Sequence, residues 1–149
     1  MTPGYFDGEE GKRYLEEWAA CLANGGNLIL NTNPAPGEET AYEFAEAQGI
    51  DLEELRVSIS NCVGTVIGKL LAIGVDSTIL VTGGDTLMGF VQQAGISEIV
   101  PVCEMVPGCV LSKITVDGKE HNIISKSGGL GAKTVLADIS AMIAAKRGE

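Results

Sequence analysis

Val81-Thr82-Gly83-Gly84-Asp85-Thr86 joins an apolar run, Ser77-Thr78-Ile79-Leu80, to an apolar-periodic stretch from Leu87 to Ala94. A β-rich segment that passes through paired glycines into a helix leaves unpaired backbone N–H groups at the helix start, where the helix dipole adds partial positive charge. Such a turn is suited to an anion. The same design recurs at Ile123-Ile124-Ser125-Lys126-Ser127-Gly128-Gly129-Leu130-Gly131, ahead of a helical pattern from Lys133 to Lys146. Two strand-turn-helix passages imply an α/β chain and point to a phosphate-bearing ligand. Taken singly, each turn is also what an ordinary connection contains, because glycine serves wherever positive φ is needed. The second turn does not fit the Walker spacing, although Lys126 and Lys133 bring positive charge to it. Asp85 would repel a phosphate unless a magnesium ion or a ribose hydroxyl intervened, so Asp85 or Thr86 reads most simply as a helix cap.

Outward from these turns, the chain alternates helical and strand patterns. Asp7, with Glu10 three residues on, can cap a helix through Tyr14, Leu15, Trp18 and Leu22, ended by Asn24-Gly25-Gly26. Leu28-Ile29-Leu30 reads as a short strand, followed by a Pro-rich loop from Asn33 to Gly37. Glu38 to Gln48 is a short amphipathic helix stopped by Gly49, and Asp51 caps a longer one whose apolar residues recur at three and four from Leu52 to Leu71. Gly64 and Gly68 share a face of it and predict close packing on the sheet. A central strand then leads into the first glycine turn. Ile99-Val100-Pro101-Val102 is a strand end or an edge, and Asp117-Gly118 marks a hairpin. The expected fold is one α/β domain over residues 1–149, with a mixed, mainly parallel sheet, flanking helices, and a C-terminal hairpin followed by a helix.

Composition narrows the function. The 149 residues suffice to bury about two thirds of the unfolded surface. Ten basic against twenty acidic residues leave a charge of -10, which excludes nucleic acid as a natural partner while leaving room for one phosphorylated small molecule held by backbone amides. The long apolar stretch is too interrupted for a membrane span, so a soluble chain is expected. Cys21, Cys62, Cys103 and Cys109 show no metal-ligand spacing and read as buried or incidental thiols of a reducing cytoplasm. His121 reads as an exposed strand histidine, Glu104 as a solvated charge, and no nucleophile and base pair is legible, so neither a catalytic residue nor a metal ligand is assigned.

The ordered set Thr82-Gly83-Gly84-Asp85-Thr86, Val102-Cys103-Glu104-Met105-Val106-Pro107-Gly108, Leu111-Ser112 and Ser125-Lys126-Ser127-Gly128-Gly129-Leu130-Gly131 resembles the C-terminal nucleotide-binding domain of the four-carbon acid sugar kinases, over roughly residues 10–147. The resemblance implies an ATP-dependent kinase of threonate- or erythronate-like acids, with Mg2+ accompanying the nucleotide. It implies that Gly83, Gly84, Asp85 and Thr86 line the nucleotide and that Ser127, Gly128 and Gly129 approach its phosphates. Two family features have no counterpart here: an upstream strand with a Gly-Ser-x-Ser turn, and the substrate domain. The chain alone is therefore expected to bind nucleotide weakly and to catalyse nothing, its expected partners being ATP, a substrate-binding domain on a separate chain, and further copies of itself. A non-catalytic nucleotide-binding or assembly module is the competing reading. A ribokinase-like kinase is a third, but that family's upstream Asp-Thr is missing.

Overall fold

A computed structural model describes residues 4–33, 37 and 40–147. The chain forms two compact units. One takes the residues up to Asp76 together with Asp85–Gly95; the other takes Ser77–Gly84 and the residues from Ile96 on.

The first unit is helical. A 3-10 turn at Tyr5–Asp7 leads into α1, Glu9–Ala23. Asp7 does not cap this helix; Gly8 stands at the N-cap without a side-chain bond, and the Asp7 carboxylate instead accepts a hydrogen bond from Lys69 Nζ at 2.6 Å. Leu28-Ile29-Leu30 does not form a strand. Its alternation is nevertheless used, since Leu28 and Leu30 pack against the core of Phe6, Leu15, Val66 and Leu70 while Ile29 is 87% exposed. Period two makes a segment extended, but only a ladder partner makes it a strand. The Pro-rich loop expected at 33–37 lies mostly outside the described residues, as does the start of the helix expected from Glu38.

Helix α2 spans Ala41–Gln48 and begins at Thr40, whose hydroxyl accepts from the Glu43 N–H while the Glu43 carboxylate accepts from the Thr40 N–H at 2.7 Å. Gly49, with φ 67°, ends it. Helix α3, Leu52–Ala72, carries the expected Asp51 cap, whose Oδ1 accepts from the Glu53 N–H at 2.8 Å. By length and composition α3 could cross a membrane, yet its Leu55, Val66, Leu70 and Leu71 are buried. Its close glycine contact is with a helix, not with the sheet. A Cβ on Gly64 would lie 2.6 Å from the Gly89 carbonyl oxygen and 2.8 Å from the Phe90 Cα of α4, the helix Gly84–Gln93. Gly68 has nothing within 4 Å.

The second unit is a four-stranded sheet with a covering helix. Strands β1 (Ile79–Thr82), β2 (Ile99–Val106), β3 (Cys109–Val116) and β4 (Lys119–Lys126) lie in the order β1-β4-β3-β2. The sheet is mixed, as expected, with the hairpin and the final helix α5, Val135–Arg147, in their expected places. Its balance differs from the mainly parallel expectation, because only β1 and β4 run parallel and the other two pairings are antiparallel. The reason is local: Leu28-Leu30 adds no parallel strand, and Ile99-Val102 extends through Val106 into a tight meander. β1 is consequently an edge rather than the central strand. β2 is the other edge, as its proline predicts, with register shifts at Pro101/Cys103 and Glu104/Val106. One face packs Cys109, Ile124, Val135 and Ile139 together with Leu80, Leu111 and Ile143. The opposite face buries Val81, Ser112, Ile114, His121 and Ile123.

Candidate functional site

The register of the one parallel pair places the two glycine turns side by side. Thr82 pairs with Lys126 at the ends of β1 and β4, and the next residue, Gly83, donates its N–H to the Lys126 carbonyl at 3.1 Å. Gly83 makes this exit with φ 96°, which a side chain would strain. In open α/β sheets the carboxyl ends of parallel strands are where ligands bind, since the helices that follow begin there. The antiparallel β2–β3 turn lies at the same end, because Cys109 pairs with Lys126 and the Ser127 N–H donates to the Gly108 carbonyl at 3.0 Å.

The hydrogen bonds at this end leave a defined remainder. The Leu130 N–H donates to the Ser127 carbonyl at 3.3 Å, closing a turn over 127–130. Lys126 Nζ curls back and donates to the carbonyls of Ser127 at 2.8 Å and Gly128 at 3.1 Å. An ammonium group is thus fixed beneath the turn, and the carbonyl oxygens that would repel an anion are occupied. Among the described residues, the N–H groups of Gly84, Gly128 and Gly129 take no hydrogen bond. A Cβ on any of these three would meet nothing within 4 Å. Free amides with empty space beside their Cα atoms and a lysine ammonium on the neighbouring carbonyls suit an oxyanion.

Of the sequence-predicted residues, Gly83, Gly84, Ser127, Gly128 and Gly129 are thereby brought together in the sheet unit. Asp85 and Thr86 fall in the helical unit. Asp85 is not a cap standing ahead of α4 but lies inside its first turn, and its carboxylate pairs with Arg56 at 3.0 Å. Sequence reasoning missed Arg56, which lies 29 residues away and belongs to no motif. It also missed the Lys126 clamp, although lysine ahead of a Ser-Gly-Gly turn was a visible signal. Glu104 is more than a solvated charge, since its Oε1 accepts from the Gly108 N–H at 3.1 Å and braces the β2–β3 turn. His121 is not exposed: it is 6% accessible on the inner face of β4, and its Nδ1 has no partner. Lys133 is exposed.

Glycine turns after parallel strands, with free amides at both, are compatible with a nucleotide-binding type of α/β domain, and the comparisons with known proteins identify that type. The chain belongs to the family described as the nucleotide-binding C-terminal domain, whose model matches residues 6–136. That bears out the resemblance noted in the motifs. Two crystal structures of a domain of unknown function, DUF1537, from Bordetella bronchiseptica share the fold; both are described as citrate-bound, domain-swapped dimers. One is 21% identical with a TM-score of 0.54, covering 82% of this chain and 28% of its own. The other is 17% identical with a TM-score of 0.55, covering 92% and 32%. This chain therefore spans under a third of the length of those structures. No curated protein matches it.

Proposed function

We propose that this domain is the ATP-binding part of a kinase that phosphorylates four-carbon acid sugars of the threonate or erythronate kind, working in the cytoplasm together with a substrate-binding domain. The observation that carries the nucleotide reading is the set of three unbonded glycine N–H groups at the ends of β1 and β4, with empty space beside their Cα atoms and the Lys126 ammonium on the neighbouring carbonyls. The kinase reading rests on the ordered motifs shared with that family and on the family match.

In this reading ATP supplies the phosphoryl group that is transferred. The Gly84, Gly128 and Gly129 amides hold and orient phosphate oxygens, and Lys126 supplies positive charge close by without projecting into the turn. Ser127 contributes a small hydroxyl side chain at the turn's edge. Asp85, neutralised by Arg56, takes no part in holding phosphate. Phosphoryl transfer asks the protein mainly for positioning and charge stabilisation. Magnesium, when bound, would accompany the nucleotide and would supply neutralisation of its phosphate charge. The base that accepts the hydroxyl proton is assigned to the substrate domain, and this chain supplies no catalytic residue.

Calorimetric titration with ATP and magnesium, run on the wild type and on Gly84→Val and Gly128→Val chains, tests this phosphate site. Neither glycine has positive φ and both have space for a side chain, so both variants should fold. Binding by the wild type that weakens at least about tenfold in each variant, a loss of ~1.4 kcal/mol, supports the reading. Variants that bind like the wild type would exclude it.

A further inference from the structure

Gly108 is tied to the 127–130 turn on one side and to Glu104 on the other. Strand β2 advances two residues from Glu104 to Val106 while β3 moves one, from Val110 to Cys109, so β2 carries a bulge at Met105. Bulges re-aim neighbouring side chains and are common beside functional sites. Here Glu104 Oε1 accepts the Gly108 N–H at 3.1 Å, and the Gly108 carbonyl accepts the Ser127 N–H at 3.0 Å. We propose that Glu104 is a positioning residue for phosphate, fixing through Gly108 the turn that presents the Gly128 and Gly129 amides. The inference rests on the function proposed above for that turn.

Packing and charge both favour this role. Gly108 has φ 80°, and a Cβ there would lie 3.0 Å from the Leu130 Cβ. The turn is thus seated on Gly108 at both ends, by the Ser127 N–H and by the Leu130 side chain, with the two free amides between them. The Leu130 N–H closes the same turn on the Ser127 carbonyl, so a tilt of Gly108 would carry all four residues with it. A carboxylate joined to an anion site through two hydrogen bonds is an electrostatic cost to that site. The brace offsets it, because amides fixed before the ligand arrives need not be ordered when it binds. Glutamine at 104 would keep the accepting oxygen and shed the charge, whereas alanine would shed both. Geometry and charge therefore predict different orders of affinity.

Calorimetric titration of the full chain with ATP and magnesium tests the role in the wild type, Glu104→Gln and Glu104→Ala. Amide hydrogen exchange of the nucleotide-free chains is the second readout, and circular dichroism the control for folding. Glu104→Ala should raise the dissociation constant at least about fivefold, while Glu104→Gln should bind as tightly as the wild type or more so. Without nucleotide, the Ser127 and Leu130 amides should exchange at least about fivefold faster in Glu104→Ala and at the wild-type rate in Glu104→Gln. Wild-type affinity or unchanged exchange in Glu104→Ala would overturn the proposal. So would tighter binding by both variants, which would leave Glu104 acting by charge alone, or an equal loss in both. A wild type that binds no nucleotide would overturn the proposed function, and the exchange pattern would still decide whether Glu104 holds the turn.

Discussion

Gly64 and Gly68 lie one turn apart on α3, and the same substitution should have opposite signs at the two. Alanine at Gly64 must displace the Gly89–Phe90 backbone, since no flexible side chain is there to yield. Overpacking of this kind costs about 1–3 kcal/mol. Alanine at Gly68 meets nothing and removes the glycine penalty inside a helix, a gain of up to about 1 kcal/mol. Urea denaturation of the two variants should therefore move in opposite directions from the wild type. The four-residue spacing in the sequence identified both glycines but not which one was needed, because that depends on a neighbour 25 positions further along the chain. The same reason explains the other misread residues. Asp85, Glu104 and His121 were assigned from adjacent residues, whereas Arg56, the Gly108 amide and the inner face of β4 determine what they do.

Among the elements, the helix ends at Gly49 and Asp51 were legible, those at Asp7 and Asp85 were not, and the isolated strand was the least legible. Asp51 caps α3 and Gly49 ends α2 as their residue types require, for caps are satisfied within a few residues. The Thr40–Glu43 capping box follows the same rule and is readable as Thr-x-x-Glu. The strand expected at Leu28-Leu30 failed because pairing is a property of two segments. The capping box also carries a pH prediction. The backbone N–H of Thr40, and after it the Thr40 hydroxyl, holds the Glu43 carboxyl below its usual range. A carboxyl whose pKa is depressed on folding stabilises the protein above its unfolded pKa, and that contribution is lost as pH falls through the folded value. Glu43→Gln should thus lower the melting temperature at neutral pH. The difference should shrink as the pH drops below about 4, where the unfolded carboxyl is protonated. Thermal melts of the two chains across that range would check it.

At the scale of the molecule, the α/β class, the meander and both glycine turns were readable from punctuation by glycine, proline and aspartate, while strand order was not. The placement of β1 against β4 brings the two glycine turns side by side, and only the parallel register shows it. The sheet order also predicts how the unit opens. β3 and β4 have ladder partners on both sides, whereas β1 and β2 have one each, so amides of β3 and β4 should exchange most slowly with solvent. Hydrogen exchange resolved by residue would reveal a different sheet if β2 proved the best protected. The central claim, that the ends of β1 and β4 hold a nucleotide's phosphates, is tested most directly by titrating a uniformly nitrogen-15-labelled chain with ATP and magnesium while following each backbone amide. The account predicts that the largest shifts fall at Gly84, Gly128 and Gly129, with adenosine alone leaving them unmoved. Saturable shifts confined to other residues, or none at all from a folded chain, would contradict it.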